Sequence, residues 1–73
     1  MPHVKIEVHG TLTCGIFDEI EDIAHDFDEE ANVSSSDYGD HATVTIESDD
    51  EDALLEAVPV LCRKGFDTSA VFN

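Results

Sequence analysis

The spacing of its apolar residues constrains this 73-residue chain more than any other feature of its sequence. Val4, Ile6 and Val8 alternate with polar residues, which is the period of a strand with one buried face. From Ile16 to Ala31 the apolar residues recur at intervals of three and four. On a helix they form a stripe of about 120°, and the acidic residues lie outside it. The sequence therefore predicts an amphipathic helix soon after the first strand.

The middle of the chain returns to the period of a strand. Residues 32–38 predict a weak second strand, and residues 42–46 alternate between apolar and polar as a third. Between them, Gly39-Asp40 fits a two-residue hairpin turn that begins with glycine. The sequence therefore predicts a hairpin after the first helix.

A second helix and a final strand follow the hairpin. Residues 48–51 read Ser-Asp-Asp-Glu, the pattern of a capping box in which Ser48 is the N-cap. Pro59 removes one helical hydrogen bond and is predicted to kink the helix, and Gly65 is predicted to end it. Residues 66–72 alternate again and predict the last strand.

The resulting order of elements is strand, helix, strand, strand, helix, strand. Right-handed crossovers turn this order into an α+β, ferredoxin-like βαββαβ sandwich. We expect a single domain over residues 1–73, with a four-stranded antiparallel sheet in the order 4-1-3-2 and both helices on one face. The other face of the sheet is predicted to be open and polar.

The charge of the chain excludes several functions. Eighteen Asp and Glu residues oppose three Lys and Arg, which gives a formal net charge of −15. A protein that binds nucleic acid by neutralising phosphates needs clustered basic residues, so we expect no nucleic-acid partner. The longest apolar run, residues 57–62, is far shorter than the roughly 20 residues of a membrane span. We therefore expect no membrane association, and the start of the chain does not resemble a signal peptide, which predicts a cytoplasmic location.

The acidic residues also indicate where such a protein works. They occupy nearly all polar positions of the first helix, where like charges four residues apart repel in dilute buffer. Molar salt shortens the Debye length to about 3 Å and removes most of this repulsion. The pattern is typical of a halophilic protein in a salt-saturated cytoplasm. A cation-binding or DNA-mimicking surface is the alternative interpretation.

One end of the predicted sandwich gathers residues that could bind a metal. The end of the first strand, the start of the first helix, the hairpin and the end of the second helix meet there. They carry His9, Cys14, His41 and Cys62. A register in which paired residue numbers sum to 50 places His9 opposite His41. Thiolate and imidazole ligands suit Cu(I) and Zn(II), so these four residues are the candidate metal ligands.

At this point the chain resembles a known family, the heavy-metal-associated (HMA) domain of copper chaperones and metal-ATPases. The resemblance covers nearly the whole chain in element order. Its local residues are Val8-His9-Gly10, Thr13-Cys14 and Gly65-Phe66.

The resemblance implies the same fold and a soft-metal site formed by two cysteines in a C-x-x-C motif at the helix entrance. Cys14 matches the first cysteine, whereas Phe17 stands where the second would fall. Thr11-Leu12-Thr13-Cys14 also stands where the family usually has Met-Thr-Cys. The resemblance therefore implies a relative of these domains whose metal site is altered or lost.

Together these observations predict a small, non-enzymatic binding module. A compact sandwich of this length has little concave volume for a catalytic pocket. One alternative is a regulatory module that binds a protein partner or a second copy through a sheet edge, at Ser34–Ser36 or in the last strand. Another is thiol redox chemistry at Cys14, whose thiolate a helix N-terminus favours. Either cysteine could instead have no chemical role, with Cys62 as a small core residue.

Overall fold

The predicted architecture is confirmed. The computed structural model describes the backbone of residues 2–71 and the side chains of residues 2–69. Within this range the chain folds in the expected order. The elements are β1 (His3–His9), α1 (Cys14–Phe27), β2 (Asn32–Asp37), β3 (His41–Glu47), α2 (Glu51–Arg63) and β4 (Asp67–Val71). The predicted part of the last strand at Phe72 lies outside the described residues.

The strands form one antiparallel sheet in the order β2-β3-β1-β4. This is the predicted order, and the predicted register is also confirmed: His9 pairs with His41 and Lys5 pairs with Thr45. β2 therefore forms one edge of the sheet and β4 the other. The central strands β1 and β3 run through the middle of the molecule.

The core lies between the sheet and the two helices. Alternate residues of β1 and β3 are buried, as are residues of both helices on the faces turned toward the sheet. The largest fully buried side chains are Ile6, Ile20, Ile46, Leu61, Val4 and Val44. Full burial of such a side chain contributes about 1.5–3 kcal/mol, so this layer supplies most of the stability of the fold.

The start of α2 differs from the prediction. Its N-cap is Asp50, whose Oδ1 accepts a hydrogen bond from the backbone N–H of Ala53 at 3.2 Å. Ser48 lies before the helix and is buried at 4% exposure. Its hydroxyl donates to Asp28 Oδ2 and accepts from the backbone N–H of Asp50 at 3.0 Å. Because a buried hydroxyl needs partners, Ser48 joins the end of α1 to the start of α2 instead of capping the helix.

The end of α2 follows the prediction at Gly65. The helix continues through Pro59 to Arg63. Gly65 then adopts φ +92°, and its N–H donates to Cys62 O while the N–H of Phe66 donates to Leu61 O, both at 3.1 Å. These two hydrogen bonds form a Schellman motif, whose left-handed residue is usually glycine. The motif turns the chain from α2 into β4.

The hairpin between β2 and β3 also has the predicted form. The N–H of Tyr38 donates to His41 O at 2.9 Å, which leaves Gly39 and Asp40 as the two turn residues. Gly39 has φ +95°, as the first position of a type II′ turn requires. The turn therefore fixes the register of β2 on β3.

Neither helix of the described chain is long and apolar enough to cross a membrane.

Candidate functional site

The four predicted metal ligands do lie toward the same end of the sandwich. His9 ends β1, His41 begins β3, and Cys14 begins α1. Cys62 is in the last turn of α2, just before β4 returns along β1. Chain direction therefore places all four side chains toward one end, as the sequence indicated.

The structure does not gather these side chains into a metal site. Val8 and Ala42 are buried under the helices, so the neighbouring imidazoles of His9 and His41 project from the opposite face of the sheet. Both cysteines instead belong to the helix layer, where they are exposed free thiols. Between residues 2 and 71, no three His, Cys, Asp or Glu side chains are grouped to hold a metal ion. A shared end of the sandwich therefore does not bring the imidazoles and the thiols onto a shared face.

The two histidines instead interact with carboxylates nearby. His9 Nε2 lies 4.0 Å from Asp67 Oδ2, and His41 Nδ1 lies 2.8 Å from Asp40 Oδ1. The His41 ring also stacks on Tyr38, with the ring centroids 4.8 Å apart. The hydrogen bond from His41 holds the pKa of the Asp40 carboxyl below its usual value. These contacts join His41 to both sides of the hairpin turn.

Cys14 lies in a groove between α1 and the edge strand β2. The groove has a volume of about 260 Å³. Its lining residues are Leu12, Thr13, Cys14, Phe17, Asp18 and Ser35. Leu12 and Phe17 are half-buried and pack against the core, so they give the groove an apolar floor. We call this feature the β2 groove.

Packing of the β1–α1 loop builds the β2 groove. Thr13 is the N-cap of α1, and its hydroxyl accepts a hydrogen bond from the N–H of Ile16 at 3.2 Å. This cap fixes the first turn of α1, which carries Cys14, beside the loop that carries Leu12. The groove was not predicted, because Leu12 belongs to a loop without periodicity. The one signal in the sequence that could have indicated the groove is Ser35, a small polar residue on the helix-facing side of a strand.

The outer edge of β2 is open beside this groove. Ser34, Ser35 and Ser36 are exposed. Hydrogen-bonded and non-bonded pairs alternate along antiparallel strands, and Tyr38 and His41 are a bonded pair. The peptide groups of Val33, Ser35 and Asp37 therefore point away from β3. This edge offers a row of backbone donors and acceptors directly next to the β2 groove.

A second concavity lies at the other end of the molecule, where α1 ends and α2 begins. It has a volume of about 490 Å³ and is lined by carboxylates: Asp28, Glu30, Asp49, Asp50, Glu51 and Asp52. The Ser48 hydroxyl and the N–H of Glu30 hold the pKa of Asp28 below its usual value. Among the residues that the structure describes, no three of these carboxylates are grouped so that they could hold a metal ion. The cleft therefore gives no geometric support to the alternative of a cation-binding surface.

Comparison with known proteins does not assign a family: no family model matches the chain, and no curated protein matches it.

Proposed function

We propose that this chain is a non-enzymatic binding module that adds an extended segment of a partner protein to the free edge of β2. The observation that carries the proposal is the exposed edge of β2, where the peptide groups of Val33, Ser35 and Asp37 point outward without a partner in the described chain. Backbone hydrogen bonds to such an edge are a general mode of peptide recognition.

The composition of β2 supports this role. Natural proteins protect an edge strand with lysine, proline, a bulge or a covering loop. Asn32–Asp37 contains neither lysine nor proline, its one charged residue is the last, Asp37, and its six residues pair with β3 in unbroken register. Five of these six positions are exposed. An edge of this kind is well suited to accept another strand.

The carboxylates beside the edge of β2 favour a different protein over a second copy. Molar salt screens most of the net charge of −15, but charges in direct contact across a partly buried interface still interact. Asp37 ends β2 and Asp18 lines the β2 groove, so both lie beside the edge strand. Complementary charge raises association rates and disfavours wrong partners. The proposed partner therefore carries positive charge.

The proposal also includes the setting in which the module works. The acidic surface supports a role in a salt-rich, halophilic cytoplasm, where screening reduces repulsion within the chain. The resemblance to HMA domains supports a binding role for a small ferredoxin-like domain. Our proposal assigns the binding to the edge of β2 and needs neither Cu(I) nor Zn(II).

A peptide selection in high salt tests the proposed function. The immobilised full chain is used to select binders from a display library of random decapeptides in about 2 M KCl. Selected peptides are synthesised and titrated into the ¹⁵N-labelled chain. We expect the largest shift changes at Val33, Ser35 and Asp37, because their peptide groups point out of the sheet.

Proline variants at the two edges of the sheet provide the matched comparison. Ser35→Pro removes one outward N–H without breaking a hydrogen bond to β3, and we expect it to abolish binding. Thr68→Pro is the control: it lies on β4 opposite Ile6, so the same alternation points its N–H out of the other edge. Circular dichroism is used to check that both variants fold. Binding unaffected by Ser35→Pro, or self-association of the chain through β2 in light scattering, would overturn the proposal.

A further inference from the structure

We infer that the segment added to β2 inserts one apolar side chain into the β2 groove and places a lysine or arginine two residues before it. This inference rests on the proposed function and names the class of partner: an extended, basic segment with the pattern basic-x-apolar.

Strand geometry fixes the position of the apolar side chain. Ser35 pairs with Val44, which is buried under the helices, so the Ser35 side chain lies on the helix-facing side and lines the β2 groove. Residues directly opposite each other on antiparallel strands project to the same face, with Cβ atoms about 4.5–5.5 Å apart. A strand that pairs with the outward peptide group of Ser35 therefore projects its opposite residue into the groove.

The size and lining of the groove fit one side chain. Its volume of about 260 Å³ is below the roughly 300–1,000 Å³ of small-molecule sites. Leu12 and Phe17 are half-buried, so they present apolar surface that a ligand can remove from water. The small side chain of Ser35 leaves the space between them and the strand edge open. An aliphatic residue such as leucine matches this space.

Chain direction fixes the position of the basic residue. All three strand pairs of the described sheet are antiparallel, and the added segment is taken to continue this pattern. A segment whose central residue faces Ser35 then has the residue two places earlier opposite Asp37. Asp37 is exposed and lies on the helix-facing side of the sheet, opposite Ala42. Asp18 lines the groove itself. A lysine or arginine before the apolar residue therefore meets a carboxylate, whereas an acidic residue meets repulsion.

Synthetic peptides of defined sequence test the pattern. The reference peptide has eight residues, with leucine near its centre, lysine two places before it and threonine elsewhere. Its affinity for the full chain is measured in about 1 M and 3 M KCl. Replacing the leucine by alanine should weaken binding about tenfold at both concentrations, because it removes most of the buried apolar area. Replacing the lysine by glutamate should weaken binding about twofold in 1 M KCl, where screening already weakens the interaction, and less in 3 M KCl.

Two variants of the protein separate this inference from the proposed function. Ser35→Leu fills the groove but keeps the outward peptide group of β2. In this variant, the peptides with leucine and with alanine should bind equally well. Strand addition should persist and should still change the NMR chemical shifts of Val33 and Asp37. Asp37→Asn keeps an oxygen that can accept the N–H of Gly39, as Asp37 Oδ1 does at 2.9 Å. It should reduce the preference for lysine, and Asp18→Asn together with Asp37→Asn should remove it.

The outcomes distinguish the two claims. Equal affinity for the leucine and alanine peptides, with binding still lost in Ser35→Pro, would overturn the groove inference and leave strand addition intact. Binding that persists in Ser35→Pro overturns both claims. Tighter binding of a peptide with lysine two places after the leucine overturns the antiparallel direction.

Discussion

Repulsion along α1 should make the fold depend on salt, and a single substitution should relieve that dependence. Asp18, Asp22 and Asp26 are exposed and lie four residues apart within α1. Each like-charge pair at this spacing costs about 0.2–0.5 kcal/mol in low salt, and an opposite-charge pair contributes a similar amount. Asp22→Lys converts two repulsive pairs into two attractive ones. The expected gain in the free energy of unfolding is about 1–2 kcal/mol in low salt.

This gain should be visible in thermal unfolding. For a domain of this size, 1 kcal/mol shifts the Tm by about 4–8 °C. We therefore expect Asp22→Lys to raise the Tm by about 2–5 °C in 1 M KCl, where the wild-type chain is folded and screening already weakens both the repulsive and the attractive pairs. The gain should be much smaller in 3 M KCl, and circular dichroism measures the Tm at both concentrations. The variant should also fold at a lower KCl concentration than the wild-type chain, which we expect to lose structure below about 0.5 M KCl.

Two controls separate local repulsion from overall charge. Asp22→Asn removes the repulsion without adding attraction and should give about half the gain. Glu29→Lys changes the net charge by the same amount as Asp22→Lys, but Glu29 is exposed and lies after α1 has ended. An equal gain from Glu29→Lys, a gain from Asp22→Lys that is the same in 3 M KCl, or full structure of the wild-type chain in salt-free buffer would refute the reasoning.

Three further predictions concern the ends of the helices. Ser48→Ala removes the hydroxyl between α1 and α2 and should lower the Tm by about 5 °C in high salt, as calorimetry can measure; an unchanged Tm would show that this link is not stabilising. Because its hydrogen bond depresses the pKa of Asp28, that stabilisation is present above the usual carboxyl pKa and is lost as the pH falls. The difference in Tm between Ser48→Ala and wild type should therefore shrink below about pH 4, and a constant difference would contradict the assignment. Gly65→Ala should lower the free energy of unfolding by about 1–2 kcal/mol in chemical denaturation, because residue 65 has φ +92°, which alanine adopts only with strain. Steric contact does not add to this cost, since a Cβ at residue 65 would meet nothing within 4 Å. Gly15→Ala, inside α1 and without a positive φ, should be neutral or stabilising and is its control.

The fold was predictable because most elements have their own periodicity, and only β2, with three consecutive serines, lacks one. β1 and β3 each have one apolar face, and α1 has one apolar stripe. These surfaces are buried together when the helices pack on one face of the sheet. The N-cap of α2 was harder to predict, because Ser48 and Asp50 are both good capping residues. The choice depends on Asp28, twenty residues earlier, which becomes the partner of Ser48 only after the chain has folded.

The candidate site was only partly predictable. Chain direction correctly placed His9, His41 and both cysteines toward one end. Side-chain alternation decides the face of the sheet, and it separates the imidazoles from the thiols. The β2 groove depends on where the β1–α1 loop packs, and no local pattern in residues 10–13 encodes this. The sequence therefore predicted the free edge of β2 but not the cavity beside it.

The two helices are tethered to each other at opposite ends. Ser48 links the last turn of α1 to the first turn of α2, and Lys64 Nζ lies 3.2 Å from Glu19 Oε1 near the other end. An exposed ion pair contributes little in molar salt, so α1 is held mainly by the buried Ser48 hydroxyl and by the packing of Ile20, Ile23 and Ala24 in the core. The wall that α1 gives to the β2 groove therefore keeps its width before a ligand arrives. Recognition by a preshaped cleft loses little conformational entropy, and discrimination between partners then depends on side-chain size. In the proposed role, the module would bind the added segment in a groove of nearly fixed width.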